Sequence, residues 1–129
     1  MIEKKSGFSL VELLIGLVFL AVGLLAMAGL QGTSARGNTF SSNLMQATYL
    51  VQDRLESLIN LPLGSTQLQA GTYNPGPVTI SSPGGYYSSI VFNPSYTVVV
   101  NGNLRTIRYT ATWNDGVNHS VTFSTIRTQ

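Results

Sequence analysis

The chain has 129 residues, a formal net charge of +2 and no cysteine, which leaves room for one small domain beside a membrane segment and excludes disulfides, thiolate metal sites and a cysteine nucleophile. Charged residues make up only 9 %, too few for a surface that holds nucleic acid by phosphate neutralisation, so no nucleic-acid partner is predicted. A single histidine, His119, cannot build a His-based metal cluster, and neither a metal nor a cofactor is expected.

Residues 1–7 carry Lys4 and Lys5 and read as a leader without a fold of its own. From Phe8 to Leu30 almost every residue is Leu, Val, Ile, Ala, Phe, Met or Gly, and Glu12 is the only charge. About 20 apolar residues suffice to cross a hydrocarbon core as a helix. The basic flank keeps the N-terminal end cytoplasmic, so residues beyond about Leu30 are expected outside. An ionisable group inside such a run is expensive and calls for a partner. Gly16, Gly23 and Gly29 fall within the run, where small residues let neighbouring helices approach closely.

Lys4-Lys5-Ser6-Gly7 followed by Phe8-Ser9-Leu10-Val11-Glu12-Leu13-Leu14 resembles the leader and cleavage site of type IV prepilins and of type II secretion pseudopilins. The resemblance implies cutting between Gly7 and Phe8 by a prepilin peptidase, N-methylation of Phe8, and subunits that associate through their N-terminal helices. The new ammonium on Phe8 and the Glu12 carboxylate are opposite charges. In a water-free bundle an unpaired Glu12 is costly, and pairing with Phe8 of a staggered neighbour would set the axial register. A carboxylate that snorkels to the interface of an ordinary anchor is the plainer alternative. A second processing reading makes Ala26-Met27-Ala28 a signal-peptidase site. The charge at Glu12 and a run longer than the roughly 7–15 apolar residues of a signal peptide weigh against it.

After Arg36, Phe40, Leu44, Ala47, Val51, Leu55 and Leu58 recur at helical spacing, with Met45, Leu50 and Ile59 widening the stripe. An amphipathic helix is predicted over 31–61, ended by Pro62. Gly29, Gly32 and Gly37 predict a kink, or a stretch that unwinds on packing into a filament. Unbroken, the helix from Phe8 to about Asn60 would be ~80 Å long.

Residues 63–87 are rich in Gly, Ser, Thr and Pro and read as a long loop, with Val78-Thr79-Ile80 as a short edge strand. The last third predicts strands at Ser89–Phe92, Tyr96–Val100, Leu104–Trp113 and Ser120–Ile126. Asn101-Gly102-Asn103 and Asn114-Asp115-Gly116-Val117 supply hairpin signals. Ile107, Tyr109, Ala111 and Trp113 alternate with polar residues, Val121 and Phe123 continue that face, and the helix stripe is its natural cover. The fold class is α+β: a long N-terminal helix, membrane-spanning in its first half, packed on a small antiparallel sheet, as in pilins. Gln46-Ala47-Thr48, Gln52-Asp53-Arg54-Leu55-Glu56, Ala111-Thr112-Trp113-Asn114-Asp115-Gly116 and the strand after it resemble PilV-type minor pilins. No catalytic constellation is predicted. His119 reads as a surface or turn residue, its sharing a turn with Asp115 is poor geometry for activating a serine, and Gly84-Gly85 opens no helix as a phosphate loop would. The expected function is a minor pilin of a type IV pilus, held in the inner membrane with its head outside the cytoplasm and then in the fibre. A type II secretion pseudopilin and a non-polymerising membrane-anchored periplasmic binding module are the alternatives.

Overall fold

The computed structural model describes residues 7–81 and 89–128. Residues 1–6 of the expected leader, and residues 82–88 in and just past the expected loop, lie outside the described residues. The chain divides into two compact units, one ending at Thr39 and the other beginning at Phe40.

The first unit is helical from Leu10, the start of α1 (Leu10–Ile59, 50 residues). The Leu13 N–H donates to the Ser9 carbonyl at 3.1 Å, so Ser9 opens the helix. α1 continues through Gly29, Gly32 and Gly37 with no unwound stretch. Each glycine costs about 1 kcal/mol relative to alanine, but a break would require a second helix to be nucleated, which is the unfavourable step. The Thr33 and Thr39 hydroxyls donate to the carbonyls of Gly29 (3.2 Å) and Ala35 (3.1 Å), bonding back within the helix.

In the second unit the C-terminal part of α1 covers an antiparallel sheet. Its buried residues are Asn43, Ala47, Val51, Leu55 and Leu58. The last three turns of this seam are those the periodicity predicts. At its start the seam departs from prediction: it steps from Ala47 back to Asn43, leaving Leu44 36 % and Phe40 39 % exposed. Positions 43 and 44 are equally placed below Ala47, and Asn43 wins because its amide finds a carboxylate partner on the sheet side. The helix stops at Ile59, three residues before Pro62. The Leu61 N–H closes on the Leu58 carbonyl, tightening the exit.

A short 3₁₀ turn, Thr66–Leu68, follows and plugs Leu68 fully into the core. The strands are β1 (Gly71–Tyr73), β2 (Val78–Ile80), β3 (Ile90–Asn101), β4 (Leu104–Asn114) and β5 (Asn118–Thr128). The order is β1-β3-β4-β5, and β2 also pairs with β3. β1 and β2 lie end to end along one edge of β3, Tyr73 opposite Tyr96 and Val78 opposite Phe92. The sequence predicts β2 but not β1, and it predicts two strands, split around Asn93-Pro94-Ser95, where β3 is one. Pro94 is tolerated because the edge opposite residues 93–95 falls in the gap between β1 and β2, where no strand needs its missing N–H.

β3 and β4 are joined through Gly102-Asn103, with Asn101 opposite Leu104. Gly102 has φ +57 while no non-glycine residue among the described residues, Asn103 included, has positive φ, the φ pattern of a type II′ hairpin turn. Ile107, Tyr109, Ala111 and Trp113 are buried as the alternation predicts. On β5 the face extends through Val121, but Phe123, opposite Tyr109, is 37 % exposed because β5 is the edge strand.

The core has two parts. Val51, Leu55, Leu58 and Leu68 pack against Val98, Ile107 and a row of tyrosines. Ala47 packs against Phe92 and Trp113, whose rings meet edge-on at 5.7 Å and 60°. The molecule is α+β, one long helix on an antiparallel sheet.

Candidate functional site

Gly7, Phe8 and Ser9 precede the helix, and Glu12 lies in its first turn. A carboxylate there opposes the positive end of the helix dipole. The spacing Ser9-x-x-Glu12 is that of a capping box, yet among the described residues neither side chain makes a hydrogen bond, and Glu12 has no cationic partner. In the uncut chain the Phe8 nitrogen is an amide, so the charge pair expected after processing has no counterpart in a single unprocessed chain.

The helix surface behind Glu12 covers nothing within its unit. Every large apolar side chain from Phe8 to Leu30 is between 51 % (Ile15) and 84 % (Phe8) exposed. A side chain at Gly16, Gly23 or Gly29 would meet no atom of the chain within 4 Å. The glycines are therefore not required by packing inside this chain. The helix is long and apolar enough to cross a membrane. Leaving this surface in water would cost on the order of tens of kcal/mol, at about 1.5–3 kcal/mol for each large side chain, more than the roughly 5–15 kcal/mol that holds a whole domain together. Such a surface is compatible with membrane anchoring.

A second group of residues, in the head, was not apparent in the sequence. The His119 Nε2–H donates to Asp115 Oδ1 at 2.9 Å, and the Asn43 amide donates to Asp115 Oδ2 at 3.1 Å. The His119 ring lies between Phe40 (centroids 4.8 Å) and Trp113 (5.3 Å). The sequence reads His119 as a surface or turn residue sharing a turn with Asp115; it lies on β5 opposite Trp113, with its ring bonded to Asp115. Burial pushes the Asp115 carboxyl up, but the Asn43 hydrogen bond and then the charge and hydrogen bond of His119 outweigh it and hold the carboxyl below its ordinary range. The Trp113 indole N–H, buried without a well-formed hydrogen bond, faces the same carboxylate and adds to the lowering. Both carboxylate oxygens are committed to structural partners, so the arrangement fastens the β4–β5 turn to α1. Among the described residues no cluster of His, Asp and Glu could hold a metal ion.

Two arginines form a second tie. Arg105 donates to the carbonyls of Leu63 and of Leu68 (3.3 Å), and Arg127, directly opposite it on β5, donates to the Leu61 carbonyl. Two like charges face to face would ordinarily repel. Main-chain carbonyl oxygens at the helix exit, neutral but partially negative, accept from both guanidinium groups and pin residues 61–68 to the sheet.

No protein-family model, curated protein or solved structure matches this chain.

Proposed function

We propose that the chain is a structural subunit of a type IV pilus, a minor pilin of the PilV kind. The supporting observation is the conjunction of the Gly7-Phe8 junction and Glu12 with a membrane-length helix that packs on nothing in its own unit, beside a head whose core is complete without it. Lys4 and Lys5 hold the N-terminal end in the cytoplasm. A prepilin peptidase removes residues 1–7, Phe8 is methylated, and the helix passes from lipid into a bundle of like helices. There Glu12 meets the Phe8 ammonium of an adjacent subunit. Small residues at 16, 23 and 29 admit close helix approach, and the head remains on the outside.

The test is Glu12→Ala. Removing one partner of a buried ion pair costs about 3–5 kcal/mol, which corresponds to roughly a hundredfold or greater loss of co-assembly. The variant is expected to insert in the membrane at the normal level while its amount in sheared fibres falls by that order. Equal recovery of both proteins in fibres would remove Glu12 from assembly.

A further inference from the structure

Between β1 and β2 the segment Asn74–Pro77 leaves the edge of β3, and a cleft of about 540 Å³ opens there against the last turns of α1. Its volume falls in the range of small-molecule sites, about 300–1,000 Å³. One wall is aromatic: Tyr73, Tyr96 and Tyr109 stack in succession, at 4.7 Å and 11°, then 5.6 Å and 5°. Pro75 and Pro77 supply further flat apolar surface. Gly76, between them, takes φ +94, a conformation that suits glycine and closes the turn after Pro75.

Two donors in this cleft are unspent. The Tyr73 hydroxyl donates to the Thr66 carbonyl at 2.8 Å, and that of Tyr96 to the Gln67 carbonyl at 3.3 Å. Tyr109 is 2 % exposed and lines the cleft, yet its hydroxyl has no hydrogen-bond partner among the described residues. Arg54 of α1 lines the same space and forms no ion pair or hydrogen bond among the described residues. Asp53 and Glu56 stand one and two positions along the helix, where side chains do not face each other. A guanidinium only donates, and a phenol that has found no acceptor is ready to.

We infer that the cleft binds a small carboxylate on a flat apolar body, its anion held by Arg54 and Tyr109 and its body laid against the tyrosine and proline rings. One guanidinium matches the single charge of a carboxylate and would leave a phosphate dianion half neutralised. The cleft is walled by helix, sheet and the Pro75–Pro77 turn, which favours a free small molecule over an extended peptide. The inference does not depend on the assembly reading.

The experiment is calorimetric titration of the full-length protein in nanodiscs with 2-naphthoate and with 2-naphthamide, blanked against empty nanodiscs. The naphthoate is expected to bind saturably and the uncharged amide at least about tenfold more weakly. Arg54→Gln should weaken naphthoate by about tenfold and Tyr109→Phe severalfold, neither changing the response to the amide. Far-UV circular dichroism verifies the fold of each variant. Arg54 is exposed, so its replacement carries the test alone should Tyr109→Phe unfold the head. Equal binding of acid and amide, an Arg54→Gln protein that binds naphthoate unchanged, or no saturable binding up to about 10 mM would overturn the inference. So would saturable binding of an acidic heptapeptide but not of naphthoate.

Discussion

Asp115 shows how one carboxylate can organise the base of the head. It accepts from Asn43 on the helix, 72 positions away, and bonds to His119 across its own hairpin. Its carboxyl is held below the ordinary aspartate range. A depressed carboxyl contributes stability that is present above the unfolded-state value and lost as pH falls through the folded one. The melting temperature of the protein is therefore expected to drop as pH is lowered below about 4, and Asp115→Asn to melt lower at neutral pH with a smaller acid drop. The other acids are common to both proteins, so parallel profiles would show that Asp115 is not the group responsible. Burial raises Tyr96 and Tyr109, the former also through its tyrosine neighbours, while Arg54 partly offsets the rise at Tyr109. A raised group contributes stability below its unfolded value that is lost as pH climbs past it. Alkaline unfolding is expected to begin above about pH 10 and to shift upward in Tyr96→Phe; monitoring ellipticity against pH checks it.

The elements were legible where periodicity is long. The alternation along β4 and the helical spacing from Ala47 to Leu58 each repeat often enough to name the buried face, and both are borne out by burial. Gly71-Thr72-Tyr73 is too short to alternate, and it becomes a strand only because the 12-residue β3 offers it an edge. His119 and Asp115 could be placed in one turn from the sequence, but the tie to Asn43 was not legible, because Asn43 lies 72 positions away and breaks the apolar stripe that locates the seam. The arginine ties were hidden for another reason: their acceptors are main-chain carbonyls, which carry no residue-type signature. Gly7, Phe8 and Glu12, by contrast, form a linear motif readable without a fold, though their pairing needs a second chain. Arg105→Met should cost about 1.5–3 kcal/mol, the range for hydrogen bonds to a charged group. It should also speed amide exchange at Leu68 ahead of the β3–β4 ladder. A mutant with unchanged stability and exchange would mean that the exit segment is held by Leu68 burial alone.

At the scale of the whole molecule, the two units differ in what they leave unsatisfied. The core of the second unit, from Ala47 to Trp113, is closed over its own residues. The first unit presents apolar surface that its own residues leave uncovered, on a helix long and apolar enough to cross a membrane. Residues 40–129 expressed alone are accordingly expected to be soluble and to unfold in one cooperative transition. A fragment that aggregates or shows no transition would mean that the head depends on residues before Phe40. Everything proposed for assembly begins with the creation of a charged chain end beside Glu12. The most direct measurement is the intact mass and N-terminal sequence of the protein recovered from membranes of cells that make fibres. The account predicts a chain that starts at N-methylated Phe8; a chain that keeps Met1, or one that starts at Gly29, contradicts it.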